Sequence, residues 1–448
     1  MSKNKNSFFE GPILPTLMKF ALPILLTLFI QALYGAVDLW AVGRFAEAAD
    51  ISAVSTGSQT MFIITGTITG LSMGVTILLG QLMGNQDKKG CANTFCTSIE
   101  IFIILGICLT ILMMIFAPNI AILMNAPETA LKKTTDYILI CSCGTLFIVG
   151  YNLLSGIFKG LGNSKEPLLF ATIACIFNII GDVVLIKFFH LGTIGAAIAT
   201  ISAQAISVIL SIRIVKKTLP FNVSKENWKF NKKYGKQIIK LGSPIAFQDM
   251  CNELSFLIII GIVNNLGVTS SAGVGIAERL VMFILLIPMA YMSSISAYVA
   301  QNIGAKKYKR AEKSMWLGMA TATFFGGVIS YISFFHGDLL SSIFSSDTEV
   351  IMKSAEFLKA TAIECFLLSI AYCFTGYFNG LGKTTFVMAQ GLCAIALVRI
   401  PFAYYMGTRP SPKLFNIGLS ATFAALFTLS VCIIYFIIHK IKMKEKSN

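Results

Sequence analysis

The sequence TGYFNGLGKTT (residues 375–385) indicates how the chain is organised, because the chain contains a near copy of it, SGIFKGLGNSK (residues 155–165). The two stretches are identical at five of eleven aligned positions. Further matches follow in the same order, at Gln81 and Gln301, at Gly84 and Gly304, and at KFALP (residues 19–23) and KLGSP (residues 240–244). Ordered matches over most of each half indicate a duplicated chain.

The end of the second copy, Gly382-Lys383-Thr384, has the look of a phosphate-binding loop. That loop needs two glycines separated by four residues, then Lys and Ser/Thr, between a strand and a helix. Here five residues separate Gly376 from Gly382, and the first copy has Asn163 where Lys383 stands. The two copies therefore share a tight Gly-Leu-Gly turn, and an ATP site is not indicated.

Composition predicts a polytopic membrane protein. Of the 448 residues, 55% are hydrophobic and 13% are charged, and the mean hydropathy is +0.76, whereas soluble domains carry roughly 25% charged residues. Runs of about 20 apolar residues can span a bilayer. Twelve such runs are centred near residues 27, 68, 106, 147, 177, 203, 255, 288, 325, 368, 395 and 427. The second run, from Ile51 to about Met83, is long enough to tilt or bend.

The basic residues predict the orientation of the chain. Most loop lysines and arginines fall on the side that holds both termini, which the positive-inside rule assigns to the cytoplasm. Basic loops facing anionic lipid account for the net charge of +15, so no nucleic-acid partner is expected. No cleavable signal peptide is expected either.

Cysteine and histidine give no indication of a metal site or a catalytic centre. Most of the eleven cysteines lie inside the apolar runs, where Cys behaves as a small apolar residue. His190, His336 and His439 all lie near span ends. We therefore expect no structural metal, no organic cofactor and no enzyme activity.

The repeat predicts the domain organisation. Six spans in each half are an even number, so both halves enter the membrane in the same sense. The predicted fold is all-α, with two six-helix bundles at residues 1–215 and 237–448 joined by a basic cytoplasmic linker at residues 216–236. Secondary transporters use such repeats and bind substrate near the midplane.

Ionisable residues within the spans are the candidate functional groups, because each costs about 2.5 to 3.5 kcal/mol on insertion scales and usually faces a cavity. Acids outnumber bases among them. The set comprises Asp38, Asp182, Asp249, Glu253, Glu278 and Glu364, against Arg279 and Arg399.

Helical spacing groups several of these residues with polar neighbours. Gln31, Tyr34 and Asp38 share one face of the first span, and Asn178 and Asp182 share one face of the fifth. A desolvated carboxylate, or one of two close carboxylates, readily holds a proton. Asp38 and Asp182 are thus candidates to bind H⁺, or Na⁺ with help from Asn178. The alternative is that each makes a structural hydrogen bond to a neighbouring helix.

The acids of the second half have more than one interpretation. Glu253 and Glu364 are candidate contacts for substrate or cation. Glu278 adjoins Arg279, so a structural ion pair is an alternative for it, although adjacent helical positions diverge by about 100°. Asp249 and Arg399 are interpreted as structural.

Four further stretches resemble the multidrug and toxic compound extrusion (MATE) transporters, particularly the bacterial NorM/DinF-like ones. These are YGAVDLWAVGRF (34–45), GLGN (160–163), NIIGDVVLI (178–186) and GAAIATISAQ (195–204). The resemblance covers nearly the whole chain. It implies a V-shaped pair of six-helix bundles in the bacterial plasma membrane, and H⁺- or Na⁺-coupled antiport that exports amphipathic, often cationic compounds by alternating access.

The resemblance also implies a site in the N-terminal half. Its residues would be Gln31, Tyr34, Asp38, Asn152, Asn178, Asp182 and Thr200, with Asp38, Asn178, Asp182 and Thr200 at the cation and Gln31, Tyr34 and Asn152 at the substrate. Glu253 is similar to the seventh-span acid that other members use, so Na⁺ could bind at Asp38/Asp182 or at Glu253. Ser155 departs from relatives that have Asn there.

Other expectations complete the sequence-based account. Pro23, Pro244, Pro288 and Pro401 are candidate bending points. The transporter is expected to contact membrane lipids and to be monomeric. Three alternatives are less favoured: a lipid-linked oligosaccharide flippase of the same superfamily, which should line its cavity with cations; a membrane-embedded enzyme, which would need a clustered catalytic constellation; and a passive channel.

Overall fold

Apolar helices follow one another along residues 8–445, the part of the chain that the computed structural model describes; its side chains are described as far as residue 442. Every regular element in this part is helical. The first half contains α1 (Ile13–Phe45), α2 (Ala48–Gly84), α3 (Lys88–Leu123), α4 (Glu128–Cys143), α5 (Thr145–Gly160), α6 (Lys165–Asp182), a π-helical turn (Val183–Phe188) and α7 (Gly192–Thr218).

The second half follows a similar order after a short 3₁₀ helix at Lys225–Trp228, with α9 and α10 in place of one unbroken helix. Its helices are α8 (Lys232–Asn264), α9 (Val268–Ile284), α10 (Leu286–Gly304), α11 (Tyr308–Phe335), α12 (Gly337–Ser342), α13 (Thr348–Gly380), α14 (Thr384–Cys393), a second π-helical turn (Ala394–Arg399), α15 (Ile400–Gly407) and α16 (Leu414–Glu445).

Eleven helices or joined helices among the described residues are long and apolar enough to cross a membrane, and the α4–α5 pair makes twelve if it is one span. Each of the twelve predicted centres falls within one of them, which confirms the predicted spans. α2 runs without a break from Ala48 to Gly84. The sharp bend, of 52°, instead separates α4 from α5 at Gly144, where an added Cβ would collide with the side chain of Ile201 on α7.

The two Gly-Leu-Gly stretches form the same turn, one after α5 and one after α13. Gly162 has a φ of +80° and Gly382 a φ of +76°, the left-handed conformation that glycine adopts without strain. In both copies the next N–H donates to the carbonyl five residues earlier, Asn163 to Phe158 and Lys383 to Phe378, each at 2.9 Å. This is the Schellman ending of a helix, and it confirms a turn and not a phosphate loop.

The glycines that precede these turns are shared because helices approach closely there. A Cβ on Gly160 would lie 2.8 Å from the carbonyl oxygen of Thr76 on α2, and one on Gly380 would lie 2.7 Å from that of Ser296 on α10. Real Cβ atoms essentially never come so close to another atom. Only glycine therefore allows α5 to pack on α2, and α13 on α10, at this separation.

The chain forms two compact units. One, the N-terminal unit, contains residues 22–246 and 304–306; the other, the C-terminal unit, contains the described residues up to 21 together with residues 247–303 and from 307 onward. The unit boundaries lie within α1 and α8, beside Pro23 and Pro244, which both lie inside those helices. The predicted division into residues 1–215, 216–236 and 237–448 stays a prediction.

Candidate functional site

Asp38, Asp182 and Thr200 come together in the N-terminal unit from three helices. Asp38 lies on α1 and is 4% exposed, while Asp182 ends α6 and is fully buried. The Thr200 hydroxyl on α7 lies 3.2 Å from Oδ2 of Asp38. The two carboxyl groups are close enough to share a hydrogen bond when one carries a proton. The structure therefore brings together residues that lie up to 162 positions apart.

Three of the four oxygens of this carboxylate pair lack a hydrogen-bond donor; only Oδ2 of Asp38 accepts one, from Thr200. Both oxygens of Asp182 and Oδ1 of Asp38 are buried without a hydrogen-bond partner, and so is Oδ1 of Asn178. Among the described residues, no ion pair within 4.0 Å involves either aspartate. Two unpaired buried charges of the same sign are strongly unfavourable. The arrangement can therefore hold a proton between the carboxyl groups, or a cation among their oxygens.

Asn178 extends the cluster along α6. Its Nδ2 lies 3.5 Å from the Thr200 hydroxyl oxygen, so its Oδ1 is left as an additional oxygen beside the two carboxyl groups. Amide, hydroxyl and carboxylate oxygens are the ligands of hard cations. The four predicted cation-coupling residues thus form one polar cluster.

A π-helical turn begins directly after Asp182 and covers Val183–Phe188. A second one, Ala394–Arg399, occupies the corresponding span of the second half. π-helical turns are rare and frequently lie at functional sites. The two turns place Asp182 and Arg399 beside irregular backbone in matching spans of the repeat.

The predicted substrate residues of the N-terminal unit divide into two groups. Nε2 of Gln31 lies 3.5 Å from the hydroxyl of Tyr151 on α5, and the Tyr34 hydroxyl is buried without a partner. Asn152, in contrast, is engaged within the bundle: its Oδ1 accepts from Thr69 at 2.9 Å and its Nδ2 donates to the Ile148 carbonyl at 2.9 Å. Gln31 and Tyr34 thus have hydrogen-bonding groups available for a substrate, whereas those of Asn152 are largely used within the bundle.

Arg399 is the centre of a second cluster, in the C-terminal unit. Its Nη1 donates to Oδ1 of Asn252 at 2.9 Å and to the Ser255 hydroxyl at 3.1 Å, both on α8. Three acids on neighbouring helices interact electrostatically with it, Glu253 on α8, Glu278 on α9 and Glu364 on α13. Glu364 is buried, whereas Glu253 and Glu278 are half-buried.

The structure gives Glu278 a different neighbour from the one expected. Arg279 is exposed, and among the described residues no ion pair within 4.0 Å joins it to Glu278. Oε1 of Glu278 is buried without a hydrogen-bond partner. The basic residue that interacts electrostatically with Glu278 is Arg399. The Glu278–Arg279 ion pair is therefore absent, because successive residues point to different sides of α9.

An ion-pair network at the start of α2 was not predicted. Asp50 is 6% exposed, and its carboxylate accepts from Lys133 Nζ at 2.9 Å and from the Thr193 hydroxyl at 2.6 Å. Lys133 also contacts Glu47 at 2.9 Å. These residues line an open pocket of about 380 Å³. The signal in the sequence was weak, because Asp50 immediately precedes the apolar run that begins at Ile51.

Comparisons with known proteins show which family the chain belongs to. A family model described as MatE matches residues 23–184 and, a second time, residues 244–405. The probable multidrug resistance protein YpnP of Bacillus subtilis is 26% identical over 432 residues, which cover 96% of each chain. The multidrug export protein MepA of Staphylococcus aureus (strain MSSA476) is 24% identical, over 89% of each chain.

Solved structures show the same fold. An outward-facing multidrug resistance MATE family transporter of the MOP superfamily superposes with a TM-score of 0.91 at 17% identity, over 99% of both chains. A MATE structure in complex with MaL6 gives 0.92 at 17% identity, over 99% of this chain and 100% of that one. The family match covers most of both halves, so the chain belongs to the MatE family of multidrug and toxic compound extrusion transporters, multi-pass membrane proteins that are not enzymes.

Proposed function

We propose that this transporter is an antiporter that couples the entry of H⁺ or Na⁺ to the export of amphipathic, often cationic compounds. The observation that carries the proposal is the buried Asp38–Asp182 pair. It has unsatisfied carboxylate oxygens and no basic partner within 4.0 Å in the described part of the chain. Such a pair needs a positive species from outside the protein.

The coupling step is an exchange at Asp38 and Asp182. In the outward-facing state the pair takes up the ion and the substrate leaves; in the inward-facing state the ion leaves and a new substrate enters. Ion and substrate need only compete for one element, or favour different conformations of it. Thr200 and Asn178 complete the ion site through the contacts at 3.2 Å and 3.5 Å.

Substrate contacts are proposed at Gln31, Tyr34, Asn152, Glu253 and Glu364. The free Tyr34 hydroxyl supports this role most directly, and the half-buried Glu253 offers a carboxylate to a cationic compound. Asn152 would contribute only its remaining hydrogen-bonding capacity.

Alternating access requires helices that bend. Pro23 lies inside α1 and Pro244 inside α8, where proline removes a backbone hydrogen bond.

We propose that both termini lie in the cytoplasm and that the active form is a monomer. A flippase for lipid-linked oligosaccharides should present cations to the pyrophosphate, which the acidic Asp38–Asp182 cluster does not.

The test uses ethidium or fluoroquinolone efflux from cells under imposed pH or Na⁺ gradients. Efflux should follow one of the two gradients and should fall to background in Asp38→Asn and Asp182→Asn. Glu128→Gln, at an exposed position, is the control that should retain full efflux. If efflux persists in both aspartate variants, the pair does not couple ion entry to export.

A further inference from the structure

The segment that joins α7 to α8 carries a dense set of basic side chains. Residues 213–240 contain nine lysines and arginines and a single acid, Glu226. All nine basic residues are exposed. In the described part of the chain, none of them forms an ion pair within 4.0 Å. Close contact with an acid of this protein therefore does not neutralise their charge.

This segment is folded onto the N-terminal unit. Phe221 is buried, and its ring centre lies 6.3 Å from that of Phe95 on α3. Asn227 is also buried, and its Nδ2 donates to Oδ1 of Asn93 on α3 at 2.7 Å. These contacts hold the 3₁₀ helix Lys225–Trp228 against α3, so the side chains on its outer side have a fixed place.

Two large aromatic side chains are exposed on the folded segment. Trp228 is 49% exposed and Phe230 is 51% exposed. In a 3₁₀ helix residues i and i+3 lie on one face, so Lys225 shares a face with Trp228, while Asn227 faces α3. Exposed aromatic and basic side chains together are typical of a segment at the membrane–water interface. Both α7 and α8 are long and apolar enough to cross a membrane, which places the segment at a membrane surface.

The first turns of α8 continue this exposed surface. Lys232, Lys236 and Lys240 are spaced by four residues and so share one face of the helix, and all three are exposed. Tyr234 and Ile238, on the other face, are buried. The lysines thus occupy the face of α8 that the bundle leaves open. Residues 225–240 are called the linker surface below.

Basic residues at the start of α11, by contrast, already have partners within the protein. Lys307 donates to the carbonyl oxygen of Phe9 at 2.9 Å, and Arg310 donates to three backbone carbonyl oxygens before α1. Lys440 on α16 pairs with Glu312 on α11 at 2.6 Å. The lysines of the linker surface have no such ion pair among the described residues, so their charge is available to a group from outside the chain.

The group that suits this surface is the headgroup of an anionic phospholipid. Its phosphate accepts hydrogen bonds from lysine ammonium groups, and the leaflet around it offers an interfacial position to Trp228 and Phe230. Basic segments beside a membrane span are attracted to anionic leaflets in this way. An inorganic anion would use the lysines alone and leave both aromatic side chains in water, so the aromatic pair favours a lipid.

We propose that the linker surface binds the headgroups of anionic phospholipids in the leaflet that it faces, and enriches these lipids beside the N-terminal unit. The contacts with α3 order the surface in the absence of lipid, so binding does not require the segment to fold. Binding also does not involve the Asp38–Asp182 pair. Its failure would leave the proposed antiport untouched.

The test uses the fluorescence of Trp228 in purified full-length protein. The other two tryptophans, Trp40 and Trp316, are both exposed and are replaced by phenylalanine. The protein is reconstituted in mixed bilayers of phosphatidylcholine and phosphatidylglycerol, with brominated acyl chains on one lipid at a time. At equal fractions of brominated lipid, we expect quenching at least about twofold greater with phosphatidylglycerol. The difference should disappear in 1 M NaCl, where the Debye length is about 3 Å.

Two triple variants with equal loss of charge locate the effect. The first removes lysines of the linker surface and should quench equally with both lipids; its substitutions are Lys225→Gln, Lys229→Gln and Lys232→Gln. The second removes exposed lysines of the C-terminal unit and should keep the preference; its substitutions are Lys309→Gln, Lys313→Gln and Lys442→Gln. Equal quenching by the two lipids with the linker surface intact, or equal loss of preference in both triple variants, overturns the proposal.

A second measurement needs no replacement of tryptophan. Native mass spectrometry of the protein in detergent, titrated with phosphatidylglycerol or phosphatidylcholine, counts the lipids that remain bound. Wild-type protein and the C-terminal variant should retain more phosphatidylglycerol than the linker variant does. If the linker variant retains as much phosphatidylglycerol as the other two, the linker surface is not the binding site.

Discussion

The Thr200 hydroxyl lies between two acceptors, 3.2 Å from Oδ2 of Asp38 and 3.0 Å from the carbonyl oxygen of Ala196. A hydroxyl has one proton and can donate to only one of them at a time. When Asp38 is ionised, donation to its carboxylate is the stronger bond, because hydrogen bonds to charged acceptors are about twice as strong. Binding of a proton or a cation at Asp38 is therefore linked to the choice of acceptor by the Thr200 hydroxyl on α7.

Replacing Thr200 should therefore change ion coupling more than folding. Thr200→Val keeps the shape of the side chain but removes the donor, so the ionised form of Asp38 is less stable and the pH dependence of efflux should move toward higher pH. Thr200→Ser keeps the hydroxyl and should leave the profile in place. The measurement is the efflux rate of each variant in a series of buffers from acidic to alkaline pH. Identical profiles for the two variants would exclude this link.

The close helix contacts at the repeated glycines predict a large loss of stability. Gly160→Ala and Gly380→Ala each put a methyl group less than 3.0 Å from a backbone carbonyl oxygen. Overpacking of this kind costs about 1 to 3 kcal/mol. Gly261→Ala is the matched control, since a Cβ there meets nothing within 4 Å. Thermal unfolding in detergent should separate the first two variants from the third, and equal melting temperatures would contradict the packing argument.

The Lys133 network predicts that removing this lysine, which pairs with both Asp50 and Glu47, destabilises the N-terminal unit. Lys133→Met would leave Asp50 buried with only its Thr193 and backbone donors. Removing one partner of a buried charge pair is strongly unfavourable. Lys132→Met changes an exposed neighbour and should behave as wild type. The yield of folded protein and its melting temperature are the readouts; a stable Lys133→Met would show that Asp50 does not need the lysine.

The segment before α1 is held to the C-terminal unit by Arg310. Its guanidinium donates to the carbonyl oxygens of Phe8, Glu10 and Gly11 at 2.9 to 3.0 Å. Arg310→Ala removes all three bonds, and the loss of each should cost at most about 1.5 to 3 kcal/mol. Faster proteolysis near the N-terminus should report the release. Lys309→Ala, at an exposed position, is the control, and equal cleavage rates would contradict the anchoring role.

The sequence predicted the spans well because hydropathy averaged over about twenty residues needs no tertiary information. The duplicated Gly-Leu-Gly turn was also predictable, since glycine is required both by the left-handed φ at Gly162 and Gly382 and by the close contacts before them. The bend at Gly144 was not predicted, because the close approach of Ile201, which leaves no room for a Cβ at Gly144, comes from a helix distant in sequence.

The candidate site was predictable only in part. Spacing along one helix placed Asn178 with Asp182, but only the resemblance to MATE transporters indicated that Thr200 belongs with them. The two π-helical turns follow from a shift in backbone hydrogen bonding that composition does not show. The acids near Arg399 come from α8, α9 and α13, which are far apart in the sequence. The sequence therefore could not show that they lie near Arg399, and this residue was interpreted as structural.

The most direct test of the coupling role of Asp38 and Asp182 is transport by purified protein in liposomes with one imposed gradient at a time. Wild-type protein should move ethidium against its gradient when a pH or Na⁺ gradient is applied and should stop when that gradient is collapsed. The variant with Asp38→Asn and Asp182→Asn should insert into the same liposomes as efficiently as the wild type and should transport no ethidium. Gradient-driven transport by that double variant would contradict the central claim.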